Sequence, residues 1–263
     1  MLLQNRKIVI FGGSGAIGTS VAEICLREGA NVFLGARNRD RLEAAADRLG
    51  ARHSRPAIFV VDALDPAQVA SEVERLGLDQ IDAVLNATSF MHDQGSFIDQ
   101  LDLETFMSPV QTFLTSLFNT TKAVVPHMGK TRQSVVLTLS TPAGRTATAG
   151  HLGYTVTCAG IEGFTRVLAA ELGPRNIRAL CLAPHAISDA PQAGSYTGEL
   201  FAPKAHDMGL SVDQWLAGGA QSTMLGRLPT LEDVAETAAF LMSDRARSMT
   251  AAYVNLSAGM IPE

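Results

Sequence analysis

Short apolar runs alternate with longer stretches whose apolar positions recur at helical spacing, almost to the end of the chain. The runs predict strands over 7–11, 31–35, 57–61, 81–86, 133–139, 176–182 and 251–256. The stretches between them predict helices near 16–28, 39–49, 66–76, 103–128, 153–173 and 231–243. Val135-Val136-Leu137-Thr138-Leu139 and Ala57-Ile58-Phe59-Val60-Val61 are apolar nearly throughout, as strands covered on both faces should be. Strands and helices alternating at this spacing imply right-handed crossovers, hence an α/β fold with a doubly wound parallel sheet. No internal repeat, charge block or low-complexity linker divides the chain, so residues 1–263 read as a single domain. Residues 183–230 break the rhythm with two short amphipathic pieces, around 201–208 and 212–216. Prolines and glycines flank them (Pro184, Pro191, Gly194, Gly218, Gly219, Pro229). Ligands of open sheets sit at the carboxyl ends of the strands, where this insertion begins, so a substrate lid is expected. A plain surface excursion is the alternative.

The first strand runs into Gly12-Gly13-Ser14-Gly15-Ala16-Ile17-Gly18, and a helical pattern (Ala16, Ile17, Val21, Ile24, Cys25) starts at once. Gly13, Gly15 and Gly18 fit G-x-G-x-x-G in the strand-turn-helix setting that the motif requires. Lacking Cβ atoms, such a backbone turns tightly and brings its N–H groups to a diphosphate at the positive end of the helix. Residues 12–18 are therefore candidate dinucleotide contacts of a Rossmann fold. After the second strand comes Gly35-Ala36-Arg37-Asn38-Arg39, with no acid before Asp40. An acid there would accept ribose hydroxyls; Arg37 instead suits a 2′-phosphate, which predicts NADP(H) rather than NAD. A solvated arginine at a helix start is the bland alternative.

Composition narrows the class. With 263 residues, 46% of them hydrophobic, the chain can bury one large core. A net charge of −5 argues against nucleic acid or an anionic membrane as partner. Three widely separated cysteines (Cys25, Cys158, Cys181) form no C-x-x-C, in keeping with reduced thiols and a cytoplasmic location. The apolar run after Arg6 and Lys7 is too short for a signal peptide, and none approaches the roughly 18 residues of a membrane span. His92-Asp93 has no third ligand at metal spacing, so no metal is expected.

The motifs together resemble the short-chain dehydrogenase/reductase family over nearly the whole chain. Its T-G-x-x-x-G-x-G loop corresponds to 11–18, with Phe11 for threonine and Ala16 for the middle glycine. Asp62-Ala63 is similar to its adenine-contacting pair, and Asn86-Ala87-Thr88 to its N-A-G. Pro184 to Asp189 matches its P-G-x-I/V-x-T, with His185 for glycine, Ile187 kept and Asp189 for threonine. The resemblance implies Tyr154 as the group protonating a carbonyl, and Thr141 (with Ser140 beside it) as the hydroxyl orienting the substrate. It implies cofactor contacts at Asp62, Ala63, Asn86, Ala87, Pro184, Ile187 and Asp189. It also implies pairing into a homodimer or homotetramer through the helices near 103–128 and 153–173. Two family positions are replaced: the lysine after the tyrosine is Cys158, and the asparagine of the preceding helix is Phe113, with Asn119 nearby.

An unperturbed tyrosine, with a pKa near ~10, is almost wholly protonated at neutral pH. Losing the lysine should therefore harm alcohol oxidation more than carbonyl reduction. Cys158 lies one helical turn beyond Tyr154, where a thiol cannot replace an ammonium; a packed core cysteine is its plain reading. The expectation is an NADP(H)-dependent oxidoreductase, a carbonyl reductase of a mid-sized apolar ketone or its alcohol. Phe90, Met91, Phe97, Phe201, Met208 and Trp215 are candidates for the substrate wall. Two alternatives stay open. One is a redox-inactive dinucleotide-binding homologue, serving as sensor or assembly partner. The other is a lyase, dehydratase or cyclase using Tyr154, His151 or His185 for proton transfer.

Overall fold

The computed structural model describes residues 1–262. Its strands are β1 Lys7–Phe11, β2 Asn31–Ala36, β3 Ala57–Val60, β4 Ala83–Asn86, β5 Ser134–Leu139, β6 Ile177–Pro184 and β7 Tyr253–Leu256. They form one seven-stranded parallel sheet in the order β3-β2-β1-β4-β5-β6-β7. The helices are α1 Ala16–Arg27, α2 Arg39–Gly50, α3 Pro66–Arg75, α4 Leu103–Val124, α5 Leu152–Leu172, α6 Thr197–Asp207, α7 Val212–Ala220 and α8 Leu231–Met242. One apolar layer packs α1, α2 and α8 on one sheet face; a second packs α3, α4 and α5 on the other. The sheet is thus doubly wound, and its strand order reverses between β1 and β4.

Several boundaries move for local reasons. Strand β4 starts after Asp82, whose buried carboxylate accepts hydrogen bonds from Lys7 N (2.7 Å) and Arg132 Nε (2.7 Å). Helix α4 stops at Val124 because Pro126 enters a single 3₁₀ turn over Val125–His127. Strand β7 starts at Tyr253, two residues after Ala251 adopts φ 56°. The two short pieces of the insertion are the longer helices α6 and α7, pinned by Phe201 against Trp215 with ring centroids 4.8 Å apart. No described helix is long and apolar enough to cross a membrane.

Phe11, in place of the family threonine, is a core residue. It is buried and meets Phe59 edge-on at 5.6 Å, above Gly35, where a side chain would collide with the Phe59 ring. The glycine turn that follows is held by close backbone approach and by the Thr19 hydroxyl, which donates to Gly13 O at 3.1 Å. Gly12 has φ 80°, and a Cβ on it would lie 2.4 Å from Ala87 O. A Cβ on Gly18 would lie 2.3 Å from Gly12 O. The turn is therefore clamped between the first turn of α1 and the end of β4.

Candidate active site

Helix α1 follows Gly15, which gives it no side-chain cap, and has no acid in its first turn, so its leading N–H groups have no side-chain acceptor. These donors open onto a cavity of about 490 Å³ along the carboxyl ends of the sheet. Gly15, Ala16 and Ile17 line one end, and Leu200, Phe201 and Trp215 of the insertion line the other. Tightly folded glycines beside free helix-terminal donors fit a dinucleotide diphosphate. No side chain at Gly12 or Gly18 would be accommodated.

Tyr154 projects into this cavity from the first turn of α5. Its ring stacks on His92 (centroids 4.1 Å apart, planes 12° apart), and Phe113 meets it edge-on at 6.1 Å. The side chains of Thr141 and Cys158 share the cavity wall with the phenol and act on its titration. Burial first, and neighbouring Cys158 second, push the phenol's pKa well above its usual value, so the hydroxyl keeps its proton. Thr141 Oγ1 lies 3.5 Å from Cys158 Sγ and accepts from Ala143 N at 3.3 Å. Ser140 instead turns its hydroxyl to the backbone of α5, donating to Cys158 O at 3.3 Å. Its bond ties β5 to α5, while Thr141 stands beside the phenol. Cys158 is buried, and burial raises its thiol pKa, so this position holds a neutral group where the family has a cation.

The sequence-derived cofactor residues fall into distinct places. Arg37 is exposed, its guanidinium 6.0 Å from the centre of the Phe90 ring. Asp62 Oδ1 accepts from Leu64 N (3.0 Å), closing the turn into α3. Ala63 O accepts from Asn119 Nδ2 (3.1 Å), so the nearby asparagine is committed to that turn and not to Tyr154. Asn86 Nδ2 donates to Thr120 Oγ1 (2.8 Å), and Asn86 Oδ1 accepts from Thr88 Oγ1 (2.6 Å), tying β4 to α4. Asn86, Ala87, Pro184 and Ile187 line the cavity. Asp189 departs from expectation: its carboxylate accepts from Leu231 N (2.8 Å) at the start of α8, and the residue does not line the cavity. A carboxylate is favoured at a helix N-terminus, which explains its place there without a nicotinamide. His185 does line the cavity, and burial lowers its pKa. Of the expected substrate wall, Phe201 and Trp215 line the cavity, Phe90 packs on Phe113 at 5.3 Å, and Met91, Phe97 and Met208 are exposed.

Lys204, Gln94 and Tyr196 were not singled out from the sequence, yet all three line the cavity. Lys204 sits on α6 and Gln94 some 110 residues earlier; no local pattern marks which face of α6 turns inward.

A family profile described as enoyl-(acyl carrier protein) reductase matches residues 13–261. The chain belongs to the short-chain dehydrogenase/reductase family. This family member is 30% identical over 262 residues to the 3-oxoacyl-[acyl-carrier-protein] reductase FabG of Chlamydia trachomatis serovar D, covering 98% of each chain. It is 31% identical over 262 residues to the FabG of Pseudomonas aeruginosa PAO1, covering 99% of each. Its fold is similar to an NADPH-bound short chain oxidoreductase from Pseudomonas aeruginosa PAO1, described as containing an atypical catalytic center. There the TM-score is 0.86 at 22% identity, covering 99% of both chains. Membership makes the chain one of a family of oxidoreductases that bind nicotinamide dinucleotides.

Proposed function

We propose that the chain is an NADP(H)-dependent carbonyl reductase in which Tyr154 is the acid. One observation carries this: a phenol kept protonated by burial stands beside the Thr141 hydroxyl in the cavity that starts at the glycine turn. Bound NADPH supplies the hydride to the carbonyl carbon. Tyr154 gives its proton to the carbonyl oxygen, and Thr141 orients that oxygen by a hydrogen bond. Cys158, a neutral thiol, does not stabilise the phenolate, so the alcohol-oxidising direction lacks its base. The insertion of α6 and α7 serves as the lid, and Gly12 to Gly18, Asp62, Ala63, Asn86, Ala87, Pro184 and Ile187 hold the dinucleotide. The test follows reduced nicotinamide absorbance with a panel of ketones and aldehydes; no turnover with any member sinks the proposal.

The pH dependence has a definite sign. The phenol loses its proton only above its raised pKa, and burial lowers the pKa of both His92 and His151, leaving these imidazoles neutral. Reduction should therefore run at a constant kcat from roughly pH 6.5 to 9. A fall starting at neutral pH would show that another acid is at work.

Arg37, exposed and next to Asn38, is the proposed partner of the 2′-phosphate. Arg37→Glu should weaken NADPH by roughly 10- to 100-fold and spare NADH, as the loss of a charge-assisted pair requires. Titration of both cofactors against wild type and variant checks it; equal losses would place the 2′-phosphate elsewhere.

Self-association as a homodimer or homotetramer is proposed through α4 and α5, which expose Phe118, Val156 and Val167. Light scattering on Phe118→Glu should show a shift toward monomer. An unchanged mass would move the contact to another face. The buried free thiols suit a cytoplasmic location.

A second reading has its own support: with Cys158 and Phe113 in the family's lysine and asparagine positions, the chain binds NADPH without redox work. Tight NADPH binding with no hydride exchange to any carbonyl would favour it.

A further inference from the structure

The lid end of the cavity is electrostatically unusual. Lys204 is the only formally charged side chain among the described residues that line the cavity. Its ammonium donates to Gln94 Oε1 (3.2 Å) and to His151 Nε2 (3.1 Å). Both partners are neutral acceptors. The His151 ring is fixed in that role because its Nδ1–H donates to Ala149 O at 3.0 Å. Gln94 is fixed likewise: its amide donates to His92 Nε2 (3.0 Å), whose Nδ1–H donates to Phe90 O (2.9 Å). His92 is the ring on which Tyr154 stacks. The two loops carrying these groups are joined by Gly95 N donating to Gly150 O at 2.7 Å. A held network therefore runs from the lid to the reacting phenol.

The ammonium has no carboxylate within ion-pair distance among the described residues. Asp93 is the acid that acts on it from further away, and its oxygens accept from Ser96 N (3.2 Å) and Ser96 Oγ (2.9 Å). Removing a cation from water with only neutral partners costs free energy that a counter-charge would return. Two of the three ammonium protons are used, and one is left for a ligand.

We propose that Lys204, positioned by Gln94 and His151, binds a carboxylate of the substrate, which is then an oxo acid with its carbonyl at Tyr154 and its acid group under the lid. This rests on reading the cavity as the substrate pocket. The anion is a carboxylate and not a phosphate because the pocket offers one monovalent point charge. No arginine fork lines it, so the second charge of a phosphate would be left in apolar surroundings. The remainder of that end, Leu200, Phe201 and Trp215, suits the hydrocarbon between the two polar groups.

Equilibrium binding to the NADPH-loaded protein tests this without turnover. The probes are straight-chain carboxylates from butanoate to dodecanoate, their methyl esters, and the corresponding alkyl phosphates. The best carboxylate should bind wild type on the order of 10- to 100-fold more tightly than Lys204→Met, the size of one charge-assisted hydrogen bond. Lys204→Arg should keep most of the affinity, and the methyl esters should not distinguish wild type from Lys204→Met. A carboxylate no tighter than its ester, or an advantage that survives in Lys204→Met, overturns the proposal. So does an alkyl phosphate that outbinds the carboxylate. Lysine-dependent carboxylate binding in a protein that reduces no oxo acid supports the carboxylate site at Lys204 and removes the reductase reading, together with the placement of a carbonyl at Tyr154.

Discussion

Tyr154→Phe is expected to lower kcat for carbonyl reduction on the order of 10²- to 10⁴-fold, the range for losing a positioned proton donor. The substitution removes one oxygen and keeps the ring, so the stack on His92 and the edge contact with Phe113 persist. NADPH affinity and the unfolding temperature should then stay near wild type, which separates lost chemistry from lost structure. Thr141→Val should cost less, because Thr141 orients the oxygen but gives it no proton. The decisive measurement is single-turnover reduction with saturating NADPH. If Tyr154→Phe retains more than about a tenth of the rate, the proton comes from elsewhere. His151 and His185, both on the cavity wall, are then the groups to replace next.

Gly18→Ala should weaken dinucleotide binding severely, with a smaller effect on the stability of the fold. Two effects oppose each other at this site. Alanine is the better helix former by about 1 kcal/mol. Its Cβ, however, would stand 2.3 Å from Gly12 O and 3.0 Å from Gly13 Cα, all backbone. Forcing extra atoms into a packed site costs about 1–3 kcal/mol, so the clash wins or at best cancels the gain. The more severe loss is geometric. Relief of the clash must push the glycine turn away from α1, and the N–H groups proposed to face the diphosphate lose their common focus. NADPH titration should show at least roughly 100-fold weaker binding, the worth of two or so charge-assisted hydrogen bonds. Wild-type affinity in Gly18→Ala would mean that the diphosphate does not use this turn.

Much of the scaffold can be read from residue order, because period and punctuation are local. A strand covered on both faces, such as Val135 to Leu139, needs apolar side chains on both of them, and its place in the sheet bears this out. The glycine turn is equally legible, since close approach excludes side chains at particular positions. What fails to show is whatever depends on groups meeting from afar. Asp189 looks like a cofactor contact in a linear motif, but its carboxylate is taken by Leu231 N, 42 residues on. Asn119 is spent on Ala63 O, 56 residues back. Lys204 carries no mark of its inward direction until Gln94 and His151 are brought to it by two separate loops. Helix α6 starts four residues before its expected piece and α7 ends four residues after, while the Ser211–Gln214 capping box fixes the start of α7 at the expected residue. Departures from the family pattern turned out to be of two kinds. Phe11 is explained by packing against Phe59, whereas Cys158 puts a neutral thiol beside Tyr154 where the family has a cation.

The aromatic residues beside the cavity also form a mechanical bridge. Arg37 lies over Phe90, Phe90 abuts Phe113, and Phe113 abuts Tyr154. A redesign that trades Arg37 for an acid to accept the cheaper nicotinamide coenzyme therefore releases Phe90 as well. The slack travels two rings inward, to the phenol proposed as the proton donor. With Arg37 as the proposed 2′-phosphate partner and Tyr154 as the proposed acid, nucleotide choice and turnover are then not separate dials, and a coenzyme swap has to rebuild the support under Phe90 in the same step.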